Sequence, residues 1–450
     1  MDLSGFLLAC NRYHFKTQYS TLTKLLSMKK VALFAGLIAL GAVPVVAQST
    51  INFNAKGLIV ISDADLAASA LVDGKLLTDN TAKDQLTSIK FPIERGKGIG
   101  SALISNSVFG NSKTIAVPVN GGLAYVLENK LRPADGVTQY KDAAAEFPAG
   151  EKLYVVDIMN LAAPKAKFGF SVGKNPTSID INKNELIIST RDAGKELVFI
   201  EAAPDGKPAR FLNLPAALDT TSKITDLTWH PSGDFIAFTL DNSNEVGIYK
   251  VIREAGKLKN VELLGKPIKV GADPSMGKFS TDGKHYFVLD SKAKQGGASE
   301  PGEIHVVDFS MDGSAEHKVV SKAAVGVNTG SFATSPDGSL LVAVNAGKSG
   351  SPWSEAGAGT GASLTLYKVG ADGALAKVAD YPFEGIYPRG VVFDKDGSNL
   401  AVSVFEYLEF GAGTGGVEFY SVTKGDTPAL KKQGAKVSVG KGAHTVRIVP

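Results

Sequence analysis

Three residues near the C-terminal end of this chain have side chains suited to hydrolytic chemistry: Arg389, Glu406 and His444. Arginine presents a rigid fork of donors that fits a carboxylate or phosphate. Histidine takes or gives a proton near neutral pH, and a partly buried glutamate can do the same for a water molecule. Arg389 stands in Gly385-Ile386-Tyr387-Pro388-Arg389-Gly390 and His444 in Gly442-Ala443-His444-Thr445. Comparable phrases are Gly173-Lys174-Asn175-Pro176, Gly271-Ala272-Asp273-Pro274 and Val327-Asn328-Thr329-Gly330, which add Asp273, Asn328 and Tyr387 as candidate ligand contacts. A second polar series runs Asp63, Asn120, Arg191, Asp241, Asp290, Asn345 and Glu406, each where an apolar run gives way to a loop. Asp and Asn there read as local turn caps. Arg191 and Glu406 do not, and are candidate site residues. Trp353, in a long loop, is a candidate contact for a ligand or partner. The structural alternative for Arg389 is a pairing with Glu384 or Glu406 that ties neighbouring segments together.

What would position these residues is a repeat. Seven segments alternate apolar and polar residues: Asp84–Phe91, Glu151–Ile158, Lys195–Ala202, Asn244–Val251, Gly302–Phe309, Ala362–Val369 and Gly415–Val422, their starts 44 to 67 residues apart. Turn signals recur with glycines at 233, 283, 338 and 397, each followed by an aliphatic run such as Leu340-Leu341-Val342-Ala343-Val344. Strand repeats of this length predict an all-β, seven-bladed β-propeller with four-stranded blades. Val446–Val449 should pair with Leu58–Ile61 and close the ring. Eight blades stay possible, because Gly121–Gly150 is long enough for an extra hairpin. The Asp-Gly turns fall on one face. The long loops Gly121–Gly150, Ser291–Pro301, Ala346–Gly361 and Glu406–Thr414 fall on the other, with the crossovers that carry Arg389 and His444, and variable loops on a rigid frame are where recognition sits. Helical signals are weak; the best is Ser62–Leu71, read as a loop insert.

Three parts are expected along the chain. Residues 1–27 read as an upstream start-site extension. Residues 28–47 read as a signal peptide, with Met28-Lys29-Lys30, the apolar Val31–Val43 and a small-residue cleavage site near Ala47. Residues 48–450 form the propeller, and an extracytoplasmic location follows, periplasmic or secreted. The chain has 48 Lys and Arg against 45 Asp and Glu; residues 1–47 contain five of the former and one of the latter, leaving 43 against 44. No basic arm suggests nucleic acid, the mature part has no spanning segment, and a monomer is expected. The single cysteine, Cys10, lies in the leader. The six histidines show no zinc spacing, so neither metal nor other cofactor is expected. There is no Gly-x-Ser-x-Gly elbow. Gly357–Gly361 and Gly411–Gly415 lead into strands rather than helices, and read as connectors rather than phosphate loops.

The Pro-Asp-Gly turn, the run Leu341-Val342-Ala343-Val344-Asn345 and the Tyr387-Pro388-Arg389 crossover resemble the YVTN-type and lactonase-type seven-bladed propellers, over most of Gly98–Pro450. WD40 proteins match less well, since no Trp-Asp pair closes the third strands. The lactonase-type resemblance implies opening or closing of small lactone rings by Arg, His and acidic groups at the channel mouth. Here Tyr387 and Gly390 flank the Pro-Arg pair where many members carry His. With that base absent, the sequence favours a binding or scaffold protein for a small acidic molecule, a glycan or a protein at the long-loop face. A lactonase-like hydrolase using Arg389, His444 and Glu406 is the alternative.

Overall fold

A computed structural model describes residues 50–450 except 65, 77–81, 95–96, 110–112, 219–221, 293–299 and 408–412. The expected extension at 1–27, the signal segment at 28–47, and parts of the Ser291–Pro301 and Glu406–Thr414 loops lie outside the described residues. The described residues belong to one compact unit, Ser49–Pro450, and this unit is the propeller.

Seven antiparallel sheets of four strands form the blades, one of them with an extra two-residue strand, Ile268–Lys269. The innermost strands are Ala443–Val449, Ile115–Ala116, Ser178–Asn182, Ile224–Trp229, Pro274–Phe279, Thr329–Thr334 and Ile386–Phe393, in blades 1 to 7. Helix among the described residues is confined to Ala70–Asp73 and Ala143–Glu146. The Ser62–Leu71 insert is thus a loop that ends in a single helical turn. Blade 1 is shared between the chain ends: Val60 pairs with Val446, Leu58 with Ile448 and Gly57 with Val449. Seven blades account for the sheets. Gly121–Gly150 contains the second strand of blade 2, Leu123–Leu127, rather than an additional hairpin. Asn120, expected at the exit of that strand, lies before it in an exposed turn; the exit residue is the buried Glu128.

The residues dictate this packing. The second strands are predominantly apolar, as in Leu340–Asn345 with every residue buried, because both faces of a middle strand meet a neighbouring blade. The described core falls into seven clusters, one per blade boundary. At one boundary Val342 and Val344 of blade 6 meet Val402 and Val404 of blade 7.

The Asp-Gly turns sit on one face, and Gly233, Gly283, Gly338 and Gly397 take φ from 70 to 79° there, a region that a Cβ makes costly. Each turn touches the next. Arg253 grips Glu185 at 2.6 and 2.7 Å and donates to Gly233 O at 3.2 Å. His230 Nε2 bonds Gly283 O at 3.1 Å, and Thr281 Oγ1 donates to Pro336 O at 3.4 Å. Lys424 bridges Asp337 at 2.7 Å and Asp396 O at 2.6 Å, and Asp394 accepts Asn54 N at 3.1 Å.

On the opposite face a subsidiary apolar cluster lies over blades 1, 2 and 7. It joins Leu66, Ala70 and Phe147 to Phe109, and Phe109 and Val108 to Ile386, Tyr387 and Phe405. No helix among the described residues is long and apolar enough to cross a membrane.

Candidate functional site

The crossover into blade 7 puts Tyr387 in the left-handed region, at φ 53°. Asn175 and Asn328 hold the same conformation at the matching crossovers, at φ 47° and 52°. Asn tolerates it, whereas a bulky aromatic stores of order 1 kcal/mol of strain. The Tyr387 ring packs edge-on to Phe405 at 6.2 Å, and the half-buried Arg389 guanidinium lies 5.9 Å from its centre.

Arg389 Nη1 donates to Val108 O at 2.6 Å, and Val108 N donates to Asp63 Oδ2 at 2.9 Å. Arg389 and Asp63 therefore hold the two sides of one peptide segment at the mouth. Asp63 is more than a turn cap, since it also accepts Ser107 Oγ at 3.1 Å.

His444 lies beneath, 1% exposed. Its Nε2 is 2.9 Å from Asn106 Oδ1, and its Nδ1 is 3.0 Å from Thr445 Oγ1. Asn106 Nδ2 donates to Ser62 O at 3.1 Å and Ile104 O at 2.9 Å, which fixes Oδ1 as the atom facing the histidine. An oxygen there can only accept, so the proton sits on Nε2. Burial, and then the Arg389 charge, hold this imidazole well below the ordinary histidine range. His444 is thus neutral with both nitrogens engaged. It supports the floor of the mouth, and in this arrangement it has no free lone pair to act as the base expected from its type. A depressed folded-state pKa means that the unfolded chain binds a proton the folded one refuses. Stability is therefore intact above about pH 6.5 and declines as the pH falls below it. His444→Gln should lose less stability than wild type between about pH 7.5 and 5.5, read from urea midpoints. His230 and His305, also held low by burial, keep the drop from vanishing.

The remaining candidates separate, except Glu406, which lies on the strand paired with that of Arg389. Glu406 is cross-strand from Ile386, and burial pushes its carboxyl up while Lys441 pulls it down. Arg191 pairs with Asp241 at 3.3 Å and joins blades 3 and 4. Asp273 accepts Ser291 Oγ at 2.7 Å, and Asn328 Nδ2 donates to Gly347 O at 2.7 Å, so both serve their own loops. Trp353 is 65% exposed and edges a 430 Å³ cavity with Glu384, Tyr407 and Lys432, which neither Val108 nor Arg389 lines. Glu384 lies 3.8 Å from Lys432 and is not the partner that the structural reading gave Arg389. Sequence reasoning missed Asn106 and Val108, which belong to the blade 1–2 connection and follow no repeat.

Deeper in the channel, Lys113 reaches from blade 2 to blade 4. Its Nζ lies 2.8 Å from Asp226 Oδ2 and also donates to Thr228 Oγ1. Burial pushes the Asp226 carboxyl up, and Lys113 and the Gly277 N–H oppose this. Lys278 meets solvent yet is surrounded by protein, as befits a channel lining. Burial, with Arg447 and Lys113 nearby, lowers its ammonium to about 8.

The profile of the family described as "Lactonase, 7-bladed beta-propeller" matches residues 328–406, the span that carries Asn328, Tyr387, Arg389 and Glu406. No curated protein matches the chain. Among solved structures, the periplasmic gluconolactonase of Pseudomonas aeruginosa is similar at 14% identity and TM-score 0.57, over 87% of this chain and 99% of that one. A candidate 6-phosphogluconolactonase of Bacteroides uniformis is similar at 15% and 0.56, over 87% and 99%. A hypothetical selenium-binding protein of Sulfolobus tokodaii is similar at 10% and 0.55, over 88% and 94%. At these identities the structural likeness speaks for the fold alone, a β-propeller.

Proposed function

We propose that this protein is an extracytoplasmic lactonase-like hydrolase that opens a small lactone bearing a carboxylate or phosphate, at the long-loop mouth of the ring. The observation that carries the reading is Arg389, held at the mouth by the strained Tyr387 crossover and lying inside the segment that matches the lactonase propellers. That match supports catalysis over the recognition-only reading. The location rests on the charged-apolar-small pattern of residues 28–47 and on the likeness to a periplasmic enzyme.

In such a reaction water adds to the ring carbonyl, negative charge develops on its oxygen, and the ring C–O bond breaks to give a hydroxy acid. Arg389 is assigned to the substrate anion or the developing oxyanion. Glu406 is assigned to the proton of the attacking water; a carboxyl raised by burial is a better base than a solvated one. His444 and Asn106 are positioning residues that keep the Val108 segment in place.

Turnover of a panel of small lactones, with and without a phosphate, tests this. Arg389→Ala should lower kcat/KM by about 10²–10³-fold, the usual cost of removing one oxyanion donor. Arg389→Lys should recover only part of it, since the fork is lost. Glu406→Gln should lower kcat by about 10²-fold or more. Melting curves confirm that each variant is folded. Wild-type rates equal to the no-protein background on every lactone would overturn the assignment.

A further inference from the structure

Blade 5 gathers a second set of side chains at its long-loop end, apart from the mouth residues described above. Asp290 closes the second strand, Tyr286–Asp290, and Glu303 and His305 lie near the start of the third, Pro301–Asp308. Asp290 pairs with Glu303 across the ladder and Val288 with His305. The two-residue period of a strand sets Glu303 and His305 on one face, with Asp290 beside them.

Asp290 is fully buried and the His305 side chain is 8% exposed. His305 Nε2 lies 3.4 Å from Glu303 Oε2 and 3.9 Å from Asp290 Oδ2. It is shielded from solvent and has no hydrogen-bond partner, which is costly for a buried polar nitrogen. One ligand atom from each of the three residues falls within 4.8 Å of the others. Metal–nitrogen and metal–oxygen bonds of about 2.0–2.2 Å put tetrahedral ligand atoms about 3.4 Å apart. Of the three pairs, His305 with Glu303 already has that spacing, His305 with Asp290 needs to close by about half an ångström, and Asp290 with Glu303 lies within 4.8 Å.

We propose that Asp290 Oδ2, Glu303 Oε2 and His305 Nε2 form a binding site for a divalent transition-metal ion of the zinc or manganese class, with at least one coordination position left open. One imidazole and two carboxylates suit these ions and not soft monovalent copper. Asp290 is oriented from outside the site, accepting Ala272 N at 3.1 Å and Asp273 N at 2.8 Å. Lys322 Nζ instead competes for Glu303, lying 3.0 Å from its other oxygen. A bound ion would fasten the crossover into the blade 5 inner strand to the third strand of the same blade. Lys322 and Lys292 act electrostatically on Glu303 and His305 and oppose the incoming charge. Removing Lys322 should therefore tighten binding.

The test is titration of untagged, chelator-stripped mature protein with Zn²⁺ alone, and separately with Mn²⁺ alone, by calorimetry and thermal melting. One equivalent should bind and raise the melting temperature. His305→Ala should weaken binding at least tenfold and remove the thermal shift, and Lys322→Ala should strengthen binding several-fold. Glu303→Gln, at a partly exposed position, repeats the test if His305→Ala folds poorly. Absence of stoichiometric binding, or affinities untouched by both ligand substitutions, would overturn the site. Lactone turnover is not read, so this outcome stands apart from the hydrolase assignment.

Discussion

A chain lacking Val446–Pro450 should fail to fold to a stable monomer. Those residues supply most of the strand that pairs with Gly57–Ser62, through Val446, Arg447, Ile448 and Val449. Val446 packs with Leu58, Val60 and Phe419 at the boundary of blades 7 and 1, and Val449 with Ile59 and Ile61 at that of blades 1 and 2. Burying each such side chain is worth about 1.5–3 kcal/mol, so the three apolar residues together approach the 5–15 kcal/mol that holds a typical domain folded. The loss also bares the backbone edge of Gly57–Ser62, an apolar strand ready to pair with another chain. Size-exclusion chromatography and far-ultraviolet circular dichroism should show aggregates in place of the compact form. Val446→Asp, which places an unpaired charge at the same boundary, should behave alike. A truncated chain that melts where the wild type does would refute ring closure as the source of stability.

Asp226→Ala should cost about 3–5 kcal/mol, the range found when one partner of a buried ion pair is removed. Asp226 is wholly buried and Lys113 is 8% exposed, so the remaining ammonium cannot reach bulk water without rearrangement. The Gly277 N–H, which donates to Asp226 Oδ2 at 2.8 Å, would be orphaned as well. Asp226→Asn should cost less, because an amide oxygen can still accept from Gly277. Replacing both members, Lys113→Met with Asp226→Leu, should recover most of the loss, since two apolar side chains need no partner. Denaturant midpoints on the four proteins decide the matter. A single Asp226→Ala within about 1 kcal/mol of wild type would mean that the channel admits enough water to solvate Lys113.

The architecture was legible in the sequence because its signals are local. Leu340–Val344 is aliphatic at every position, the Asp-Gly turns announce hairpins, and the two chain ends read as halves of one blade. Blade 2 was harder. Its inner strand is only Ile115–Ala116, so the repeat fades there and Asn120 was misplaced relative to Glu128. At the mouth, Arg389 and His444 could be named from topology, yet their roles could not. Whether His444 is a base or a support depends on Asn106, some 340 residues away in sequence and outside every repeat. The blade 5 cluster left one trace, Glu303-Ile304-His305, a pair that shares a face only if the segment is a strand. Its third member, Asp290, was read as a turn cap because nothing local betrays the histidine beside it.

The touching turns from Glu185 through Arg253, His230, Thr281 and Lys424 to Asn54 act as an arc of clamps along the underside, from blade 3 round to blade 1. Such an arc holds its blades together without help from the opposite rim. Segments such as Ala346–Gly361 can therefore be lengthened, exchanged or grafted while the blades stay in register, which makes this molecule a chassis on which new specificities can be mounted.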